Sequence, residues 1–317
     1  MGPSTEWREE IAPDEAERFE RHAETLRGYQ RHNSKKGEGR ALHRKSHGGA
    51  RAELEVHDGI VPEAAAGLFA QPGHYDAVVR FSNGLGMRQP DWMPDVRGLA
   101  VKVLGVPGKK IFGDATTQDF LLISTPALPF SNADDFVAFV KAAESQALAV
   151  PRLVAAFGPA RAAKLLRFLA GLRPPASLAT IPYFSGLPIA FGDYAGKLAL
   201  FPEQHGGGGG HGGGRLRDEL AQRLRAGPIR FTMKAQLYRD PAGTPIEDAA
   251  VAWDAPFADL ATLTIPAQEL TDDVEQLSFD PWHALPAHRP LGNLMRARTN
   301  AYRMSTQERG AAPEPSA

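Results

Sequence analysis

The period of hydrophobic and polar positions changes several times along the chain. Residues 7–32 are charged, with apolar positions at Trp7, Ile11, Phe19, Leu26 and Tyr29, a spacing that predicts one or two amphipathic helices packed as an arm on a larger body. Residues 33–40 form a turn-rich joint, after which Ala52-Glu53-Leu54-Glu55-Val56 alternates as a half-buried strand does. Further β-type runs follow at 77–81, 99–104 and 120–123. From 132 to 172 the period becomes helical: Asn132 and two aspartates suit a helix start, and Phe136, Phe139, Val140 and then Leu165, Leu166, Leu169 fall three and four apart. Pro174-Pro175 ends this block. Strand patterns return at 197–201, 229–238 and 260–265, with a Gly-rich loop at 205–214, and 291–306 is helical again. The order predicts an α+β chain whose antiparallel strands close a β-barrel, with helices around it. The predicted divisions are a helical arm over 1–36, one body over 37–310 and a disordered tail over 311–317. No fixed-period repeat is present, which disfavours solenoids and propellers.

Composition narrows the picture by exclusion. The 317 residues suit one large domain or two medium ones. Lys plus Arg number 36 against 37 Asp plus Glu, a formal charge of -1 that supplies no excess for a polyanion, so nucleic acid is not an expected partner. There is no cysteine, which removes disulfides, thiolate metal sites and thiol nucleophiles, and every thiol that an oxidant attacks. The first twenty residues lack the apolar stretch of a secretory signal and no segment has the length of an apolar membrane span, so the expectation is a soluble, cytoplasmic protein.

Three segments carry residues with chemistry. Arg40-Ala41-Leu42-His43-Arg44-Lys45 precedes a strand; alone, such a histidine is a surface or packing residue as readily as a site. Val78-Val79-Arg80-Phe81-Ser82-Asn83 sets a guanidinium in an apolar run, where its desolvation calls for an anion, and Asp95 in the following Asp95-Val96-Arg97-Gly98-Leu99-Ala100-Val101-Lys102 is one candidate. In Arg298-Thr299-Asn300-Ala301-Tyr302, a helix puts Arg298 and Tyr302 four apart on one face, where a cation favours phenolate; the same pair also occurs as an ordinary surface contact.

Taken in order, these segments resemble the catalase superfamily. The first resembles its distal Arg-x-x-His-x-Lys motif, the second its Val-Arg-Phe-Ser and Asp-x-Arg-Gly-x-Ala-Val-Lys segments, and the third, preceded by Val274-Glu275-Gln276-Leu277-Ser278-Phe279-Asp280-Pro281, its proximal Arg-x-x-x-Tyr. The likeness is strong over 37–125 and 256–309 and weak between them. It implies a catalase-like antiparallel β-barrel with a C-terminal proximal haem helix, and haem b (iron protoporphyrin IX) as cofactor. It implies His43 as distal acid/base, Ser82 as its hydrogen-bonded support and Tyr302 as axial ligand of the haem iron. Arg298 would hold the phenolate, while Arg40, Arg80 and Arg309 would pair with the haem propionates. The activity implied is that of a small catalase-related peroxidase, acting on a peroxide with a small organic electron donor through an oxoferryl intermediate, as a homodimer or higher homo-oligomer.

Two departures qualify the likeness. The family's distal asparagine has no counterpart between Gly113 and Phe120, where the chain reads Asp114-Ala115-Thr116-Thr117-Gln118-Asp119; Thr116 is taken as the replacement, with Thr117 and Gln118 as alternatives, and weak catalase turnover beside peroxidase activity is expected. The chain also stops soon after the proximal helix, without the C-terminal helical region of full catalases. One alternative is a fatty-acid hydroperoxide isomerase of the allene oxide synthase type, disfavoured by Leu42, since those members carry threonine immediately before the distal histidine; another is a non-catalytic haem-binding barrel. His205 and His211, separated by five glycines, suit a mobile loop rather than a metal site. His47, His57 and His74 read as ordinary loop or strand residues, and Trp92 as a packing anchor.

Overall fold

The computed structural model describes residues 2–34, 40, 42–86, 88–113, 115–143, 148–204, 216–308, 310–312 and 314. The helix α1 (Glu15–Ser34) precedes four long strands, β1 (Ser46–Val56), β2 (Gly73–Asn83), β3 (Arg97–Val103) and β4 (Gln118–Ile123). Two helices, α2 (Ala133–Ala143) and α3 (Ala149–Gly171), follow, then β5 (Tyr183–Phe184), β6 (Ile189–Phe191), β7 (Tyr194–Pro202), α4 (Leu216–Ala226), β8 (Ile229–Leu237), β9 (Phe257–Ile265) and α5 (Asn293–Glu308).

Neighbouring strands are antiparallel throughout and run in the order β5-β4-β3-β2-β1-β9-β8-β7, with β5 pairing back onto β7. That last pairing closes an eight-stranded barrel and leaves no long open edge; β6 hangs on β7 as a short hairpin partner. Alternation fills the barrel. In β1, Ala52, Leu54 and Val56 are buried while Arg51, Glu53 and Glu55 face water, and Val79, Phe81, Val101, Val103, Leu198, Leu200, Phe231 and Met233 point to the same interior. Burying these side chains contributes about 1.5–3 kcal/mol each, which is what holds the cylinder closed.

The helices cover the opposite, outer face of β2, β3 and β4. α1 packs along α5, and α2 packs on α3. The run 132–172, one helical block in the sequence, is two helices, and α3 is itself kinked where Gly158 takes the left-handed φ of 74° before Pro159. The arm is one helix. β5, β6 and α4 were not expected from the sequence, although Leu216, Leu220 and Leu224, all buried, recur at helical spacing.

Candidate active site

Antiparallel register places Ser82, Gly98 and Ile123 on one level of β2, β3 and β4. Their strands alternate, so Arg80, Ser82, Ala100 and Leu121 look outward, away from Phe81 and Val101 in the barrel core. Just before β1 the chain turns at His43, whose φ of 53° lies in the left-handed region; its N–H donates to the Gly84 carbonyl at 3.1 Å and its carbonyl accepts from Arg80 Nη2 at 2.9 Å. This strained turn carries the imidazole onto the outer wall, where Nδ1 sits 2.9 Å from Ser82 Oγ. Gly98 is the floor beneath it: a Cβ there would lie 2.6 Å from His43 Nδ1.

α5 faces this wall. Arg298 and Tyr302 lie one turn apart on it, with the guanidinium carbon 5.9 Å from the centre of the phenol ring. One cavity, about 1320 Å³ including its open mouth, is lined by Arg40, His43, Arg80, Ser82, Arg298 and Tyr302 together. Its remaining walls are largely apolar, from Leu99, Ile123, Leu128, Phe136, Leu187 and Phe279, with α1 adding Leu26, Arg27 and Gln30 at one side.

Charge in the cavity is predominantly positive. Burial, then Arg80, Arg298 and Arg40, lowers the His43 pKa to about 3, so the imidazole is neutral at physiological pH. Burial pushes the Tyr302 phenol above its ordinary value, against the lowering pull of Arg298. The phenol oxygen has no hydrogen-bond partner among the described residues, and neither does Arg298 have a carboxylate there; its nearest polar contact is Met295 Sδ at 4.0 Å. An unpartnered phenol beside an uncompensated cation, opposite a neutral imidazole and between apolar walls, fits a flat ligand with an electrophilic metal at its centre.

The guanidinium of Arg80 does form an ion pair, but with Glu275 rather than Asp95: Nε and Nη2 reach its two oxygens at 2.6 and 3.1 Å. Burial would raise the Glu275 carboxyl, yet the hydrogen bond and charge of Arg80, with Ser46 and Arg40, hold it below its ordinary range. Arg40 Nε lies 3.6 Å from the same carboxylate and Nη2 donates to the Leu277 carbonyl at 2.9 Å. Glu275 was missed as a functional neighbour because it joins Arg80 across 195 residues of sequence.

Thr116 does not reach this site. It stands before β4, at the end away from His43, its carbonyl accepting from Val106 N–H; Thr117 Oγ1 donates to Glu314, and the Gln118 side-chain Oε1 accepts from Leu285 N–H. Along β4 the cavity is lined from Leu121 to Ile123, and Thr116 stands five residues before Leu121, outside that lining. The segment that does flank His43 begins at Ile123, where Ile123 and Leu128 present apolar surface and no described lining residue is asparagine. Arg309 lies outside the described residues, as do the Gly-rich segment 205–214 and its histidines. His47 is fully buried, its Nε2–H donating to Asn83 Oδ1 at 2.7 Å, whereas His74 is exposed. Trp92 is 69% exposed and so is not a packing anchor; Asp91 beside it secures the loop through Lys45 and Leu216 N–H.

No protein-family model matches the chain. A catalase-related peroxidase from Mycolicibacterium paratuberculosis is 28% identical over 307 residues, covering 87% of this chain and 92% of that protein. Among solved structures, a bacterial catalase aligns with TM-score 0.67 and 17% identity over 85% of this chain, and catalase A from Saccharomyces cerevisiae with 0.61 and 15% over 85%. A fungal catalase aligns with 0.59 and 16% over 87%. The chain spans 57–61% of the length of these three catalases, whose likeness carries the fold. Closed barrel and outer-wall cavity agree with these likenesses: the chain has the catalase fold and is similar over 87% of its length to a catalase-related peroxidase.

Proposed function

We propose that the protein is a haem-b-dependent peroxidase that reduces hydrogen peroxide or organic hydroperoxides at the expense of a small organic donor, with weak catalase turnover. The observation that carries this reading is the convergence of His43, Ser82, Arg298 and Tyr302 on one cavity from opposite ends of the chain. The Tyr302 phenolate would hold the iron, with Arg298 offsetting its charge; Leu99, Ile123, Leu187 and Phe279 suit the faces of the macrocycle, and Arg40 and Arg80 its propionates. The relative's name, a catalase-related peroxidase, supports the same class. Bound there, haem supplies the two electrons that cleave the O–O bond, and the donor returns them.

The chain's own part is proton handling. A neutral His43 with Nδ1–H donated to Ser82 Oγ leaves Nε2 as a base facing the cavity. Nε2 takes the proton from the peroxide oxygen nearer the iron and returns it to the far oxygen, which departs as water or an alcohol. With Ile123 and Leu128 on the flank where a second polar group would stand, peroxide is polarised from His43 alone, which favours donor oxidation over dismutation.

The test is reconstitution with haem b, an absorption spectrum, and peroxide consumption with and without a phenolic donor, alongside Tyr302→Phe. Wild-type protein should show a tyrosinate-type spectrum that the variant loses, and donor oxidation should exceed oxygen evolution. An identical spectrum in Tyr302→Phe would remove the assigned ligand. Stoichiometric rearrangement of a fatty-acid hydroperoxide without donor would assign the isomerase instead, and haem uptake with no response to peroxide a carrier.

A further inference from the structure

From Ser145 to Gly192 the chain contains no aspartate or glutamate, although it has 37 elsewhere. Arg152, Arg161, Lys164, Arg167 and Arg173 fall within that stretch, on α3 or just beyond it. Helices α1 and α4 are charged differently: α1 pairs Glu17 with Arg21, and α4 pairs Glu219 with Arg223. Mixed signs are what a merely solvated face carries, since i,i+4 pairs stabilise it and suppress association. On α3, Arg161 is paired, to Asp135 of α2 at 2.5 Å. Arg152, Lys164, Arg167 and Arg173 have no ion-pair partner among the described residues, and Lys141 of α2 lines the same groove as Arg152.

Apolar surface adjoins these cations. Eight large hydrophobic side chains are exposed among the described residues, and three lie within seven positions: Leu148 at 49%, Val150 at 51% and Val154 at 40%. Only Leu153, Ala162 and Leu165 of α3 are buried, so this helix turns most of its circumference to solvent. Aliphatic side chains with Arg152 before the Gly158 kink, and further unpaired cations after it, form the pattern of a helix lying at an interface between hydrocarbon and anionic headgroups.

We propose that the outer face of α3 docks on an anionic lipid surface, with Leu148, Val150 and Val154 entering the headgroup boundary and Arg152, Lys164, Arg167 and Arg173 meeting lipid phosphates. A second copy of the chain is disfavoured because it would set these cations against themselves. Nucleic acid is disfavoured because the exposed apolar groups are aliphatic, with no aromatic platform on which bases stack. The attachment is peripheral: no described helix is long and apolar enough to cross a membrane.

Co-sedimentation of the full chain with phosphatidylcholine vesicles containing phosphatidylglycerol, and with phosphatidylcholine vesicles alone, tests the proposal at low and physiological salt. Binding is expected to the anionic vesicles only and to weaken with salt. Lys164→Glu/Arg167→Glu should reduce it about tenfold or more, and Val150→Asp/Val154→Asp should reduce it with the cations intact. All four positions are exposed, so circular dichroism should be unchanged. No binding to anionic vesicles at low salt, equal binding by both variants, a smaller particle mass in the variants, or duplex DNA binding that the same variants abolish would each overturn it.

Discussion

His43 Nδ1 stands 2.9 Å from Ser82 Oγ, so the ring that the left-handed turn delivers to the cavity is also held in one rotation. If Nδ1–H donates to the hydroxyl, Nε2 is the free base; with Ser82 gone, the buried N–H loses its acceptor and both tautomers compete. Ser82→Ala should lower peroxide consumption roughly tenfold, the equivalent of one hydrogen bond of about 1.4 kcal/mol, while retaining haem. Steady-state kinetics beside the spectrum separate the two effects. Wild-type rates in Ser82→Ala would show that the serine is mere packing.

Gly98 tests the same geometry from below. A methyl group there would meet His43 Nδ1 at 2.6 Å and Ser82 Oγ at 2.9 Å, closer than non-bonded atoms tolerate. The strand is regular at this point, so Gly98→Ala leaves the ladder with β2 and β4 in place and moves the imidazole instead. The expected result is a loss of peroxide consumption at least as large as that of Ser82→Ala, about tenfold or more, with thermal unfolding shifted by only a few degrees. An unchanged rate would place the catalytic imidazole elsewhere.

The barrel was legible because period-two alternation is plain in β1 and β8, at Ala52-Glu53-Leu54 and Phe231-Thr232-Met233, and alternation is a local property. The grouping of the candidate site residues was legible for a different reason: they sit in short ordered motifs, and the register that unites Ser82, Gly98 and Ile123 follows once the strands pair. Long-range partners were not. Arg80 announced a need for an anion, yet nothing local to it names Glu275. Thr116 was misplaced because the sequence pattern marks β4 without showing which of its ends faces the cavity. Trp92 misled because an aromatic residue between prolines resembles an anchor, whereas the neighbouring Asp91 does the anchoring.

His288 gives a pH prediction away from the cavity. Its Nε2 accepts from Leu68 N–H at 3.0 Å and its Nδ1 donates to the Ala190 carbonyl at 3.3 Å, which fixes a neutral ring among Phe69, Phe120 and Phe191. Burial lowers its pKa to about 4 from 6.5. The unfolded chain therefore takes up a proton that the folded chain refuses: the contribution is complete above about 6.5 and is lost as pH falls toward 4. At 1.36 kcal/mol per unit the loss is on the order of 3 kcal/mol. His288→Gln keeps a donor and an acceptor but does not titrate, so its stability in urea should fall less than that of wild type between pH 6.5 and 4. Parallel curves would mean that the ring titrates normally.

Arg296 ties the N-terminal arm to the helix that carries Tyr302. Its Nε and Nη2 reach Glu15 at 2.6 and 2.8 Å, and Nη1 reaches Glu9 at 2.7 Å and Glu247 at 2.9 Å, so three carboxylates from separate segments converge on one largely buried guanidinium. Arg289 offsets part of the charge on Glu9, at 2.7 Å. Burial would raise the Glu9 carboxyl, but its bonds to Gly292 N–H, Arg289 and Arg296 hold it below its ordinary value. Removing the cation leaves the carboxylates facing one another in a partly dry site, and Arg296→Met should cost roughly 3 kcal/mol at neutral pH. A carboxyl with a depressed folded-state pKa contributes stability above its unfolded value and loses it as pH falls, so the gap between variant and wild type should narrow through the carboxylate range. Because α5 also bears Arg298, loosening its first turn should weaken haem retention more than it changes the rate per retained haem. Urea unfolding at several pH values and haem titration read the two effects separately, and a variant as stable as wild type at pH 7 would show that the arm is held by its apolar contacts alone.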